Sequence, residues 1–125
     1  MQPRILVVDD DDSSNRTLRR FFEFRGFRVD RAGELEEAEA LLSNYAYEIV
    51  ISDLRVTQAH GSEGLRILSY VHEHCPSTRM VMLAGAGHAE IEAEARSRGV
   101  DILERAPASL PVLARDINRL LVMAS

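Results

Sequence analysis

The chain predicts a doubly wound α/β domain: a parallel sheet with helices on both faces. Three observations lead there. Short apolar runs alternate with amphipathic segments five times from end to end. The runs Ile5-Leu6-Val7-Val8, Ile49-Val50-Ile51 and Met80-Val81-Met82-Leu83 are almost continuously apolar, as strands buried on both faces must be. Two of these runs end in carboxylates, Asp9-Asp10 and Asp53, at the edge where open parallel sheets hold their ligands. Repeated strand–helix–strand units close into such a sheet through right-handed crossovers.

Each element follows from local signals. Arg4 to Val8 is the first strand. Asp12 or Ser13 can cap the next helix, which turns Leu18, Phe21 and Phe22 inward and ends at Gly26. Phe27 to Asp30 is a short second strand. Glu34 to Tyr45 is helical, with Leu35, Ala38, Leu41 and Leu42 at helical spacing. Glu48 to Ser52 is the third strand, and a loop runs on through Gly61. Gly64 to His74 is a helix with Leu65, Leu68 and Val71 inward, stopped before Pro76. Arg79 to Leu83 is the fourth strand. Gly85-Ala86-Gly87 turns into a helix carrying Ile91 and Ala95 and ending near Gly99. Val100 to Leu103 is a weak fifth strand. After Pro107, Leu110, Leu113, Ile117, Leu120 and Leu121 mark the last helix.

The whole of residues 1–125 reads as one domain, either complete or the N-terminal part of a larger protein. That length supports a core without staples. A formal net charge of −5 gives no electrostatic reason to expect a nucleic-acid or anionic-membrane partner. No apolar stretch approaches the ~20 residues needed to span a bilayer. No leader pattern precedes the first strand, so a cytoplasmic protein is expected. Cys75 is the one cysteine, which excludes a disulfide within the chain and a cysteine metal cluster. It reads as an ordinary residue at a helix end.

The chemistry concentrates in the strand-terminal aspartates. If the first and third strands are neighbours, Asp9, Asp10 and Asp53 converge at one sheet edge. Adjacent strands lie about 4.8 Å apart, and like charges about 4 Å apart repel by several kcal/mol at an effective dielectric near 20. Such a cluster sheds charge by protonation or takes a cation. A divalent metal beside a nucleophilic aspartate is the expectation. Asp11 and Asp12 read as solvated loop and helix cap.

At these residues the chain resembles the receiver domain of the two-component response regulators, over essentially its whole length. Val7-Val8-Asp9-Asp10 matches the acidic pair, and Ile49 to Asp53 matches the strand ending in the phosphoacceptor. Gly61 stands where that family opens the next helix, and Gly99 to Pro107 matches the segment after the fourth helix in spacing. The resemblance implies a flavodoxin-like, CheY-like sheet of order 2-1-3-4-5. It further implies phosphoryl transfer from a sensor histidine kinase or phosphotransfer protein to Asp53. Mg²⁺ would be held by Asp10 and Asp53 directly, by Asp9 through water, and by the backbone carbonyl of Arg55. The face formed by the fourth helix, fifth strand and fifth helix is where the family docks partners or forms homodimers; Val112, Val122 and Met123 are the candidates for apolar surface there, with a partly buried Val112 the alternative.

Several positions depart from the family pattern. Ala84 replaces the Thr or Ser that closes the fourth strand, Leu103 the rotating aromatic, and Ala106 the lysine before Pro107. Thr57 stands where a proline is usual. The bond into Pro107 is expected to be cis, as in the family. Arg55 and Arg105 are the candidates to restore the missing positive charge, with an exposed surface arginine as the alternative for each. The expected function is therefore a receiver with its acidic pocket intact and its switch residues at Ala84, Leu103 and Ala106 degenerate. A pseudo-receiver that binds partners without phosphorylation is the alternative, and a small phosphohydrolase a more distant one. His60, His72, His74 and His88 show no metal-ligand spacing. Gly85-Ala86-Gly87 lacks the lysine and hydroxyl of a phosphate-binding loop.

Overall fold

A computed structural model describes residues 2–9, 12–53, 61–85, 89–105 and 109–124. Side chains of residues 12–15, 53, 61–63 and 124 are not part of that description. The elements are β1 (Arg4–Val8), α1 (Asp12–Phe24), β2 (Arg28–Ala32), α2 (Leu35–Asn44), β3 (Ile49–Asp53), α3 (Gly61–His74), β4 (Arg79–Ala84), α4 (Ala89–Ser97), β5 (Ile102–Arg105) and α5 (Leu110–Ala124). All strand pairs are parallel, and the sheet order is β2-β1-β3-β4-β5. The doubly wound sheet expected from the sequence is the one observed.

Strand alternation divides the core in two. Leu6, Val8, Val50, Met80, Met82 and Ala84 face the layer of α2, α3 and α4. Ile5, Val7, Ile49, Ile51, Val81 and Leu83 face α1 and α5. On that second side Phe22 is fully buried, with the rings of Phe21 and Phe27 edge-on to it at 5.4 and 5.5 Å. Gly26 and Gly99 carry φ of +96° and +86°, the left-handed conformation that ends α1 and α4 where expected.

The boundaries differ in informative ways. α3 begins at Gly61 rather than Gly64, because Ser62 and Glu63 carry no apolar marker and the helical period becomes visible only at Leu65. β2 runs on to Ala32 because the register Val8↔Ala32 extends its pairing with β1 beyond the polar Asp30 and Arg31. β5 starts at Ile102 rather than Val100. Val100 is still bonded to the end of α4 through Ala95 O, and Asp101 spends its carboxylate on Met80 N at 2.8 Å. The Asp101 N–H also donates to Met80 O at 3.0 Å, and the regular register of β5 begins one step later, at Val81↔Ile102.

Candidate functional site

The strand order reverses at β1 and β3, which run side by side at the centre of the sheet. Doubly wound sheets open a crevice at the carboxyl end of such a reversal. The β1–β3 register ends Val7↔Ile51, Val8↔Ser52, so its next step sets Asp9 beside Asp53. Asp9 follows β1 directly and is 1% exposed, its backbone N–H bonded to Ala32 O of β2 at 2.9 Å. A carboxylate this deeply buried needs donors or a cation to remain ionised. Asp53 closes β3 opposite Leu83 of β4. The backbone thus brings two of the three strand-terminal aspartates to one point.

Asp10 and Arg55 lie outside the described residues, as do Asp11, Thr57, His60, the Ala86-Gly87 part of the glycine turn, His88, Ala106 and Pro107 with the bond preceding it. Among the described residues no three His, Cys, Asp or Glu side chains form a metal-holding group. The donor set itself, carboxylates plus a carbonyl, is the hard-oxygen chemistry that suits Mg²⁺.

The switch positions that are described pack as ordinary core. Ala84 closes β4, fully buried, its methyl in the cluster that contains Ala95 of α4. Leu103 is half-buried and pairs with Met82 across β4–β5, against the same cluster. Arg105 is engaged elsewhere than at the aspartates: its Nη2 lies 3.8 Å from Glu92 Oε1 on α4. Its side chain is 76% exposed and that of Glu92 only 6%.

Sequence reasoning did not single out Glu92. One signal was available: Glu92 lies three residues before Ala95 and next to Ile91, on the helix face turned to the sheet. A second pair joins β5 to α5. The half-buried Glu104 carboxyl is held above the ordinary carboxylate range, first by burial and then by the hydrogen bond and charge of Asp116, while Arg115 opposes the shift. Cys75 is half-buried, and burial pushes its thiol up, away from reactivity. His72 and His74 are exposed on α3, and the His74 ring packs 4.5 Å from that of Tyr70.

Comparison with known proteins agrees with this geometry. Residues 5–104 match the response regulator receiver domain family. The alginate biosynthesis transcriptional regulatory protein AlgB of Pseudomonas aeruginosa is 32% identical over 103 residues, covering 82% of this chain and 22% of that protein. The photosynthetic apparatus regulatory protein RegA of Rhodobacter capsulatus is 32% identical over 83 residues, 66% of this chain and 44% of that one. The chain therefore spans less than half the length of these relatives. Among solved structures, a CheY-like receiver domain protein from Methanospirillum hungatei superimposes with a TM-score of 0.88 at 24% identity, covering 99% of this chain and 97% of that one. This chain belongs to the response regulator receiver domain family, the receiving module of two-component signalling.

Proposed function

We propose that this receiver accepts a phosphoryl group on Asp53 from a sensor histidine kinase or a phosphotransfer protein, in the cytoplasm. The observation that carries the reading is the β1–β3 register, which sets buried Asp9 beside Asp53 at the strand-order reversal. In the transfer an Asp53 carboxylate oxygen attacks phosphorus, the phosphorus–nitrogen bond of the donor phosphohistidine breaks, and its electron pair leaves with the imidazole. Asp9, Asp10, Asp53 and the Arg55 carbonyl would hold Mg²⁺, which when bound neutralises the oxygens that meet there. Asp9 and Asp10, themselves anionic, would repel an anionic donor, and their role in accepting it would be to hold the cation. The domain is a signalling module, with self-phosphorylation its only chemistry.

Incubation with a small phosphodonor and Mg²⁺ followed by intact-mass measurement tests this. A single phosphate-sized gain, lost in Asp53→Asn, is the expected outcome. No gain under any condition sinks it and favours the second reading, a phosphorylation-independent pseudo-receiver. That second reading draws on Ala84, whose buried methyl offers no hydroxyl to a phosphoryl oxygen, and on Ala106 in the lysine's place. Under either reading the α4–β5–α5 face is the docking or homodimer surface, where Val112, Val122 and Met123 are exposed. Light scattering that shows only monomer at high concentration, with and without phosphodonor, would count against dimerisation. Among the described residues no helix is long and apolar enough to cross a membrane.

A further inference from the structure

At the sheet edge opposite the aspartates, the amino ends of β1 and β2 set two arginines side by side. Arg4 and Arg28 are register partners on neighbouring strands, about 4.8 Å apart at the backbone. Alternation sends both to the α2 side, with Leu6, Val8 and Ala32. Like charges in facing positions destabilise a strand pair unless a counter-charge joins them.

Only one of the two has such a partner. Arg4 Nη2 lies 3.5 Å from Asp30 Oδ2, and its guanidinium sits 4.4 Å from the centre of the Tyr45 ring. Asp30 is already shared, since the Tyr47 hydroxyl donates to the same oxygen at 2.6 Å. Arg4 Nε is buried and has no acceptor. Arg28 is exposed, and among the described residues its side chain makes no ion pair or hydrogen bond. Arg4, Arg28, Arg31, Asp30, Glu37 and Tyr45 line a cavity of about 310 Å³ between the sheet edge and α2. Two guanidinium groups on this face, those of Arg4 and Arg28, meet the carboxylates of Asp30 and Glu37, inside a chain whose net charge is −5.

We propose that this cavity binds a small phosphate-bearing anion, with Arg28 and Arg4 as its donors. The planar guanidinium fork matches a phosphate edge with two parallel N–H···O bonds. A phosphate between the facing arginines supplies the counter-charge that Asp30 cannot give to both. Glu37 opposes the anion and sets a limit on its affinity. The site stands apart from the acidic pocket, which lies at the other end of the same strands.

The test is a metal-free titration of the full chain with inorganic phosphate and, separately, with a nucleoside monophosphate, followed by backbone amide NMR shifts. Saturable shifts are expected at Arg28, Arg31 and Tyr45. Arg28→Gln, a change at an exposed side chain, should weaken binding at least about tenfold. Glu37→Gln should tighten it by removing a facing carboxylate, and Asp53→Asn should titrate like the wild type, which separates this site from the phosphoacceptor. Tighter binding of the nucleotide would identify a nucleotide phosphate as the ligand; equal binding would identify phosphate itself. Absence of saturable shifts in the wild type, an equal response to acetate, an unchanged affinity in Arg28→Gln or a weaker one in Glu37→Gln would each overturn the proposal.

Discussion

Arg105 on β5 and Glu92 on α4 face each other with 3.8 Å between Nη2 and Oε1, the arginine 76% exposed and the glutamate side chain 6% exposed. The pair is electrostatically lopsided. Arg105 keeps most of its hydration, so it gains little from the contact. Glu92 has given up its water and depends on what surrounds it. Removing the arginine therefore removes a mostly screened interaction: Arg105→Ala should cost at most about 1 kcal/mol. Glu92→Leu, which replaces a desolvated charge with an apolar side chain, should be neutral or stabilising. Chemical denaturation of both variants checks the asymmetry. Because Arg105 is occupied on α4, its loss is also expected to leave the phosphoryl lifetime on Asp53 unchanged. A shortened lifetime would show that Arg105 stands in for the absent lysine.

Phe22 anchors the opposite layer. It is fully buried, between the edges of Phe21 and Phe27 on the α1 side of β1 and β3. Truncation removes the packing of a whole buried ring and leaves a cavity that a parallel sheet cannot collapse to fill. Phe22→Ala is expected to destabilise by about 3–5 kcal/mol, a large part of the stability typical of such a domain. The midpoint of urea unfolding should fall with little change in slope.

How much of this was legible in the sequence depends on the range of the interaction. β1, β3 and β4 announced themselves because central parallel strands must be apolar on both faces, and the aspartates that close β1 and β3 pointed to the candidate site. β2, Arg-Val-Asp-Arg-Ala, was harder to read because an edge strand tolerates polar residues; only its register with β1 shows that it reaches Ala32. β5 begins two residues later than its apolar run because Val100 still bonds back to Ala95 of α4 and Asp101 meets Met80 with its carboxylate as well as its N–H, short of a regular strand pair. The Arg4–Arg28 pairing was invisible, since nothing local links positions separated by a whole helix. Glu92 was overlooked among Glu90 and Glu94, although its spacing to Ala95 placed it on the inner face.

Glu104 makes stability depend on pH in a definite direction. Burial, then Asp116, raises its carboxyl above the ordinary value of 4.5 in the fold. The protonated form is thus favoured in the folded chain. Its contribution to stability is present in full below 4.5 and is lost as pH rises through the raised folded value. Glu104→Gln keeps the neutral shape at every pH. Relative to the wild type, the variant should therefore be more stable at pH 7 than at pH 4. Denaturation curves of the two proteins at both values measure this, and a stability difference that does not vary with pH would refute the assignment.

The absent lysine offers the sharpest functional expectation, because restoring it adds one positive charge beside strand-terminal carboxylates. Ala106 stands where the family places that lysine, directly before Pro107. An ammonium group there would meet a phosphoryl oxygen on Asp53 in a charge-assisted contact, a type of interaction that contributes about 1.5–3 kcal/mol. Ala106→Lys is therefore expected to raise the steady-state fraction of phosphorylated chain by about tenfold or more under limiting phosphodonor. Adding Ala84→Thr supplies a hydroxyl at the end of β4 and should raise it further, although the extra oxygen must fit a site where Ala84 is now fully buried. Intact-mass measurement across the series, with Asp53→Asn in each background, reads the outcome. An Ala106→Lys chain that takes up no more phosphate than the wild type would mean that the lysine is not what limits this pocket.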